Sequence, residues 1–417
     1  MRQKALRGLA LLAAAVLVSV GTAAPASAEP VVTVPASAFT MTRTDTTGAA
    51  EGIRMVKASL SSILTSASWQ ATRRGACTPF PAQPDWWCFT DGDNQTREWI
   101  PQGVSSVNDA QEDQVWGSHK GIMVSWYDDE DWTGNDGEED DHVLKKKGVR
   151  VSVLNTQTGK YQHILLVEPF HGANGEVSYR PVDIHAGGMV WYGRFLYLVD
   201  TNWGIRQFSL DAIYDLVADP RGYSTNKYLV GYEPVADRFY SHGYRYIMAQ
   251  SGFWKSPKSS GGKCSTDPGA PLRDSWVSLD RVSTPDRLVV GEFCEAETGL
   301  PGRVVTWDMS DHQIASNARG VATADSAFRQ PGLTGGVGNR TQGGVTHDGG
   351  TTWHFNSSDG PGNNGLMRSW RLGSDWTLTR SAATPNGPED MSYWRETGLI
   401  WSVSEYHGRR MLYGIAP

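Results

Sequence analysis

Hydrophobic residues along this chain fall in short runs separated by turn residues, and no helical periodicity lies between them. The segment Pro181–Leu210 shows the pattern best, with runs at Gly188–Tyr192, Arg194–Val199 and Gly204–Leu210. Each run is rich in Val, Tyr, Phe or Trp, and Gly, Asp and Asn separate them. Such runs predict successive antiparallel strands, which need further strands to cover their faces.

The same arrangement recurs along the chain, at a spacing of roughly 40–50 residues, which is typical of β-propeller blades. Six polar residues stand at the start of a predicted opening strand or just before it: His119, His185, His242, Ser275, His347 and Glu389. Repeated four-stranded units predict an all-β protein with a single β-propeller. We expect five to seven blades and favour seven; Ile53–Ala67 could complete the last one, although Arg54–Ala67 also fits a short helix. An irregular double-layer β-sandwich is the alternative.

The N-terminus has the composition of a secretory signal peptide over residues 1–28. Arg2, Lys4 and Arg7 precede an apolar run at Ala10–Val20, and a small-residue cleavage site ends at residue 28. The apolar run is shorter than the roughly 20 residues that span a bilayer. We therefore expect the mature protein to be secreted.

The rest of the chain divides into a leader and one domain. Residues 29–50 are rich in Thr, Ala and Ser without a clear period, which predicts an extended or disordered leader, or a pro-segment. Residues 51–417 contain no dividing linker and are expected to form the propeller. Removing the signal peptide changes the formal net charge from −7 to −10, because three basic residues and no acidic ones are lost. This acidic balance argues against binding to nucleic acid or to an anionic membrane.

Four cysteines follow the signal peptide: Cys77, Cys88, Cys264 and Cys294. An even number in a secreted chain predicts two disulfides, for which three pairings exist. We expect the local pairs Cys77–Cys88 and Cys264–Cys294. No Cys-x-x-Cys spacing is present that would favour a zinc site.

The most acidic stretch is Asp128–Asp141, in which nine of fourteen residues are Asp or Glu. Several close carboxylates suit Ca²⁺, and part of an EF-hand register places candidate ligands at Asp129, Asp131, Thr133 and Asp140. No helical pattern flanks the stretch, so a solvated hairpin tip is the alternative. Calcium is thus a possible ligand, and no other cofactor is expected.

Polar residues at the predicted opening strands suggest a site in the central channel. Because the first strand of each propeller blade lines this channel, the residues at its start should gather at one mouth. The candidates are His119, His185, His242, His347, Glu389 and Asp390. Such a group suits a divalent metal or acid–base catalysis on a sugar or phosphoester. Hydrogen bonding across the channel is the structural alternative.

Other catalytic signatures are absent from the sequence. There is no Gly-x-Ser-x-Gly elbow, no His-Glu-x-x-His helix and no phosphate-binding loop before a helix.

Glutamines in polar segments suggest a different role. Microbial transglutaminase takes the acyl group of an accessible glutamine and passes it to a lysine amine. Gln70 in SASWQATRRG, Gln95 in DGDNQTREW and Gln330 before Pro331 have the expected context of exposed loops. A solvated side chain with no such role is the alternative for each.

Three longer segments give the chain a family resemblance: His185–Thr201, Ser275–Phe293 and Gly387–Tyr406. In these segments it resembles the dispase autolysis-inducing proteins of streptomycetes. The resemblance implies a seven-bladed propeller exported to the medium or cell wall, monomeric until it is cross-linked. Its partners would be microbial transglutaminase and a neutral metalloprotease of the dispase type, whose self-digestion it would trigger. The acyl-donor role would fall first on Gln70 and Gln330.

Two functions follow from these observations. The favoured one is a non-enzymatic interaction protein that is cross-linked by transglutaminase and promotes protease autolysis. The alternative is a secreted propeller hydrolase or lyase with its site in the central channel.

Overall fold

The computed structural model describes residues 28–77, 81, 83–129, 146–172, 175–295, 299, 301–332 and 340–417. The predicted signal peptide up to residue 27 lies outside the described residues, as do the calcium candidates Asp131, Thr133 and Asp140. No helix in the described part of the chain is long and apolar enough to cross a membrane.

The described residues are mainly β-strands. In the first half these are β1 (Ala28–Pro30), β2 (Thr40–Asp45), β3 (Trp69–Gln70), β4 (Thr72–Arg73), β5 (Asp85–Cys88), β6 (Trp99–Ser106), β7 (Gly121–Asp128), β8 (Val149–Asn155), β9 (Lys160–His171), β10 (Val177–Pro181), β11 (Met189–Tyr192), β12 (Phe195–Asp200) and β13 (Gly204–Asp215). In the second half they are β14 (Gly222–Tyr223), β15 (Val230–Glu233), β16 (Arg238–Ser241), β17 (Tyr246–Lys255), β18 (Asp274–Asp280), β19 (Arg287–Glu292), β20 (Arg303–Ser310), β21 (Gln313–Ile314), β22 (Val321–Thr323), β23 (Ser326–Arg329), β24 (Thr341–Thr346), β25 (Thr352–Ser357), β26 (Asn364–Leu372), β27 (Asp375–Asn386), β28 (Pro388–Trp394), β29 (Leu399–Ser404) and β30 (Met411–Ile415).

Helices are short. They are a 3₁₀ turn at Ala36–Ala38 and the helices α1 (Thr47–Gly52), α2 (Leu60–Ser66), α3 (Asp91–Gln95) and α4 (Val107–Ala110).

Five antiparallel units of four strands form the blades of a propeller. From the inner to the outer strand they are β6-β7-β8-β9, β11-β12-β13-β17, β18-β19-β20-β23, β24-β25-β26-β27 and β28-β29-β30-β5. The inner strands β6, β11, β18, β24 and β28 contact one another in a closed ring. The all-β propeller is thus confirmed. The described strands form five blades, which is the lower end of the predicted range of five to seven.

The hydrophobic core lies between adjacent blades. Trp394 and Trp401 of the fifth blade belong to the same cluster as Val104 of the first. Three further clusters join the second blade to the third, the third to the fourth, and the fourth to the fifth. Each sheet therefore buries both faces, which explains why its runs are almost continuously hydrophobic.

Glycines let the inner strands approach closely around the axis. A Cβ on Gly103 would lie 2.7 Å from the Met189 nitrogen, and one on Gly188 would lie 2.4 Å from the Val277 nitrogen. A Cβ on Gly343 would lie 2.6 Å from the Glu389 carbonyl oxygen. Because a side chain at these positions would meet backbone, the glycines indicate a narrow axis.

The structure corrects two expectations about the N-terminal segments. Ile53–Ala67, expected to complete a seventh blade, contains α2. Residues of the expected leader instead extend two blades, because β1 pairs with β27 and β2 pairs with β17. These strands cover the outer edges of the blades.

Both predicted disulfides are confirmed. Cys77 is bonded to Cys88, and Cys264 is bonded to Cys294. Disulfides persist in oxidising compartments, so this pairing indicates an environment of that kind.

Candidate active site at the channel mouth

All five inner strands begin at the same end of the propeller axis. Since neighbouring strands in a blade are antiparallel, the turns from β7 to β8 and from β29 to β30 reach this end too. Side chains at the starts of β6, β24 and β28 therefore meet side chains from these turns. We call this end the channel mouth.

Asp390 lies on the axis just inside the channel mouth. Its carboxylate Oδ2 accepts backbone N–H bonds from Val104 at 3.2 Å and Met189 at 2.9 Å, and Oδ1 accepts one from Val277 at 3.2 Å. These three donors belong to β6, β11 and β18, so one carboxylate joins four inner strands. Burial raises the pKa of Asp390, and the backbone N–H bonds act in the opposite direction. The side chain is fully buried, which indicates a structural role.

Glu389 forms a carboxyl pair with Glu405, which follows β29. The two carboxyl groups are close enough for each to shift the pKa of the other. Glu389 Oε1 accepts from Gln342 Nε2 at 3.2 Å, and Glu405 Oε2 accepts from Gln102 Nε2 at 3.4 Å. Between neighbouring carboxyl groups, ionisation of one disfavours ionisation of the other.

Burial raises the pKa of both carboxyl groups of the pair. For Glu389 the neighbouring charges of Glu405 and Asp390 raise the pKa further. Glu389 is buried, whereas Glu405 is partly exposed. Glu405 is therefore the member of the pair that reaches the channel mouth.

Aromatic side chains surround this pair. The Tyr127 ring lies 4.3 Å from the His185 ring, and burial, followed by the charges of Asp129, Glu405 and Glu389, raises the pKa of Tyr127. Burial, followed by the charge of the neighbouring Glu405, raises the pKa of Tyr406. Both hydroxyl groups therefore stay protonated at neutral pH and can donate hydrogen bonds.

His185 is exposed to solvent at the channel mouth. The surrounding protein, followed by the charge of Arg273, nevertheless lowers the pKa of His185 to about 4. Its imidazole is thus neutral at pH 7 and offers one donor and one acceptor nitrogen. Together with the carboxyl pair it provides the groups that general acid–base catalysis needs.

The structure brings together three of the six predicted channel residues: His185, Glu389 and Asp390. The expectation is wrong for the other histidines because they do not precede inner strands. His119 precedes β7, and its Nε2 lies 3.4 Å from Thr65 Oγ1. His347 follows β24 at the far end of the axis, where its Nδ1 lies 3.0 Å from His354 Nε2. His242 precedes the outer strand β17.

A metal site does not form among the described residues that were predicted for one. In the described part of the chain, one group of three metal-binding residue types lies close together: Cys264, Glu292 and Cys294. Its two cysteines are joined in a disulfide and cannot act as thiolate ligands. Of the calcium candidates, Asp129 is described, and its backbone N–H donates to the Glu98 carbonyl.

The three glutamines differ in exposure. The expectation of an exposed side chain is wrong for Gln330, which is 4% exposed and donates from Nε2 to the Glu292 carbonyl at 3.0 Å. Gln70 is exposed, but its Nε2 donates to the carbonyls of Ala71 and Thr158. Gln95 is exposed at the end of α3.

Sequence reasoning missed five residues at the channel mouth. Gln102 and Gln342 lie near the starts of the inner strands β6 and β24, and Tyr127, Glu405 and Tyr406 lie where β7 and β29 end. A carboxylate directly after a buried strand, as in Ser404-Glu405, is a signal that could have identified Glu405. This signal identifies a channel residue only if the end of the axis at which β29 finishes is known.

Comparisons with known proteins give fold neighbours at low similarity. No protein-family profile and no curated protein matches the sequence. The chain is similar in structure to the β-propeller domain of Cps50 (Swd1) from Myceliophteria thermophila, with 9% identity, a TM-score of 0.33 and coverage of 78% of this chain and 98% of that one. It is also similar to the gluconolactonase XC5397 from Xanthomonas campestris, with 12% identity, a TM-score of 0.34 and coverage of 84% and 89%. Hydrazine synthase from Kuenenia stuttgartiensis matches with 10% identity, a TM-score of 0.32 and coverage of 77% and 97%.

Proposed function

We propose that this protein is a secreted propeller enzyme, a hydrolase or lyase, whose acid–base group is the Glu389–Glu405 pair. The observation that carries the proposal is a pair of neighbouring carboxyl groups at the channel mouth, in a setting that raises both pKa values. Paired carboxyl groups with shifted pKa values are common in active sites, since one can serve as acid while the other is ionised.

The roles follow from exposure. Glu405 is the member that a substrate would meet, so it donates its proton to a leaving group. Once Glu405 has lost its proton, its charge and the like charge of Glu389 repel each other. This repulsion favours the return of a proton to Glu405 from water or from the substrate. His185 and Tyr406 are placed to hydrogen-bond polar groups of the substrate. Sugars and phosphoesters are the substrate classes to test.

Activity assays on chromogenic glycosides, lactones and phosphodiesters test this function. For any compound that is turned over, Glu405→Gln should lower kcat/KM by about 10²–10⁴-fold, the usual contribution of a general acid or base. Glu396→Gln is the matched control, because Glu396 lies on the surface at the other end of β28 and pairs with Lys120. No turnover across the panel, or full activity in Glu405→Gln, would overturn the proposal.

A second candidate function is favoured by the exposure of Gln70 and Gln95. In this function the protein is a glutamine donor for microbial transglutaminase, as its family resemblance implies. A tagged amine should be incorporated at Gln95 faster than at Gln70, because the Gln70 carboxamide already donates to two carbonyls. Peptide mass spectrometry of the folded protein would locate the label. Gln330→Asn is the control and should leave labelling unchanged; labelling confined to unfolded protein would contradict this function.

The same resemblance includes promotion of autolysis of a dispase-type neutral metalloprotease. Incubating the folded protein with such a protease and following intact protease by gel electrophoresis tests this role. If the protein acts by withdrawing calcium, excess calcium should abolish the effect. Autolysis that persists at high calcium would rule that mechanism out.

A further inference from the structure

A separate cleft of about 400 Å³ opens beside the first blade, between β9 and the turn that follows β16. Its walls combine aromatic and polar side chains, chiefly Trp69, Glu98, Arg150, His163, His242 and Tyr244. None of these residues belongs to the carboxyl pair or its partners at the channel mouth. The cleft is therefore a separate site from the channel mouth.

One wall of the cleft is fixed by buried ionic bonds. Asp93 Oδ1 accepts from Arg150 at 2.7 Å, and Asp93 Oδ2 lies 3.2 Å from His163 Nε2. The Arg150 guanidinium lies between the rings of Trp99 and Trp126, at 4.7 and 4.9 Å from their centroids. These contacts hold the wall in one arrangement before any ligand arrives.

His163 also meets Ser152 Oγ at 2.9 Å, which gives a Ser-His-Asp sequence of contacts with Asp93. Ser152 is 1% exposed and does not line the cleft, so a ligand in the cleft does not meet its hydroxyl group. The burial of the serine makes this a structural hydrogen-bond network and excludes it as a nucleophilic triad.

His242 directs an unused acceptor towards the cleft. It is 5% exposed, and its Nδ1 lies 3.1 Å from the Lys227 carbonyl oxygen. A carbonyl accepts only, so Nδ1 carries the proton and the neutral ring has a lone pair on Nε2. Within the described part of the chain Nε2 has no hydrogen-bond partner. A buried polar atom in this state is costly unless a ligand or water satisfies it.

The cleft also holds an unused donor and an open aromatic face. Arg150 Nε is buried without a hydrogen-bond partner among the described residues. Trp69 is 38% exposed, and its ring is supported from the protein side by His163 at 4.8 Å and Tyr161 at 6.2 Å.

Charges in the cleft are already balanced. Arg150 pairs with Asp93, and Lys147 pairs with Glu98. A charged ligand would therefore break an existing ion pair, whereas a neutral ligand would not. The suitable ligand is neutral, has hydroxyl groups that both donate and accept, and has an apolar face for an indole ring.

We propose that this cleft is a glycan-binding site that holds one pyranose ring. The C–H bonds on one face of the sugar would pack on the negative face of the Trp69 indole. One hydroxyl group would donate to His242 Nε2. Pockets of this volume with a few convergent polar groups are typical binding sites for small ligands. The proposal does not depend on the acid–base site, because the two share no residue.

Binding of defined neutral oligosaccharides to the full chain tests this site. Isothermal titration and tryptophan fluorescence would be measured with chitotetraose, cellotetraose and mannotetraose. We expect saturable binding of at least one of them, and at least about tenfold weaker binding in Trp69→Ala, equivalent to about 1.4 kcal/mol. His242→Asn should have a similar effect, because asparagine retains a donor near the Lys227 carbonyl and tolerates the backbone φ of 52°, yet removes Nε2.

Two controls keep the result specific. Trp203→Ala removes an indole that is 36% exposed elsewhere on the surface, and it should leave the affinity unchanged. Trp69→Phe keeps a smaller aromatic face and should bind with intermediate affinity. If no oligosaccharide binds, if only an aromatic peptide binds, or if folded Trp69→Ala binds like the parent protein, the proposal is wrong.

Discussion

Asp390 shows how one residue can hold the centre of a ring of blades. Its two carboxylate oxygens serve three backbone N–H groups from three other blades. These buried N–H groups cannot hydrogen-bond to water if the acceptor is removed. The carboxylate therefore stabilises the axis more than an ordinary surface group would.

Replacing this acceptor should therefore be costly. In Asp390→Asn one oxygen becomes an NH₂ group that faces an N–H donor, and we expect a loss of roughly 3 kcal/mol in the free energy of unfolding. Urea denaturation measures this loss. Asp308→Asn, which affects a partly exposed ion pair with Arg287, should cost less than about 1 kcal/mol. Equal losses in the two variants would contradict the structural role of Asp390.

The carboxyl pair predicts a pH dependence of stability. Because the folded-state pKa of Glu389 is raised, the folded chain binds this proton more tightly than the unfolded chain does. The contribution of Glu389 is thus fully present below about pH 4.3, the usual glutamate pKa, and is lost as the pH rises through the folded-state pKa.

Glu389→Gln should remove this dependence. The amide keeps an oxygen for Gln342 and can donate to Glu405, so the variant should gain stability relative to the parent as the pH rises from about 4 to about 8. Urea unfolding across this range measures the difference. A parallel pH profile for parent and variant would show that Glu389 is not the titrating group.

At the scale of the elements, the inner strands depend on glycine. Gly343 on β24 faces the backbone of β28, with contacts of 2.6 and 2.9 Å for an added Cβ. The backbone of β28 cannot yield as a flexible side chain can. The spacing of these strands is therefore set by residues that lack side chains.

Gly343→Ala should cost about 1–3 kcal/mol through overpacking. Gly48→Ala is the matched control, because a Cβ there meets nothing within 4 Å and alanine favours the helix α1. Thermal unfolding of the two variants compares them directly. A neutral effect of Gly343→Ala would show that the axis has more room than the structure indicates.

At the scale of the whole molecule, the ring closes with strands from distant parts of the chain. β5 pairs with β30, so the fifth blade takes its outer strand from near residue 88 and its other strands from residues 388–415. Cys88 lies on β5, and its disulfide fixes this strand to the preceding segment.

This arrangement predicts different effects for the two disulfides. Replacing Cys77 and Cys88 by alanine should cost about 2–4 kcal/mol and raise hydrogen exchange in β30, because the closing strand is freed. Replacing Cys264 and Cys294 should lower stability by a similar amount without that local change. Hydrogen-exchange mass spectrometry separates the two results. Unchanged exchange in β30 after loss of the first disulfide would contradict the closure argument.

Local alternation, turn residues and short loops were enough to predict the strand pattern and the propeller class, and the local spacing of the cysteines favoured, among three possible pairings, the one that the structure has. The sequence also placed His185 and Glu389 correctly at the start of an inner strand or just before it. Turn residues look alike at both ends of a blade, however. His119 and His242 precede the second and fourth strands of their blades, and nothing in the local sequence distinguishes them from His185.

Tertiary structure alone decided which strands surround the axis and which turns reach the channel mouth. Glu405 meets Glu389 only because β29 runs antiparallel to β28 and returns to the same end. Gln330 looks like a loop residue, yet it is buried because its amide satisfies the Glu292 carbonyl across a blade. In both cases the partners are separated in sequence, and strand periodicity specifies the face of a residue but not the neighbours that the closed ring brings to it.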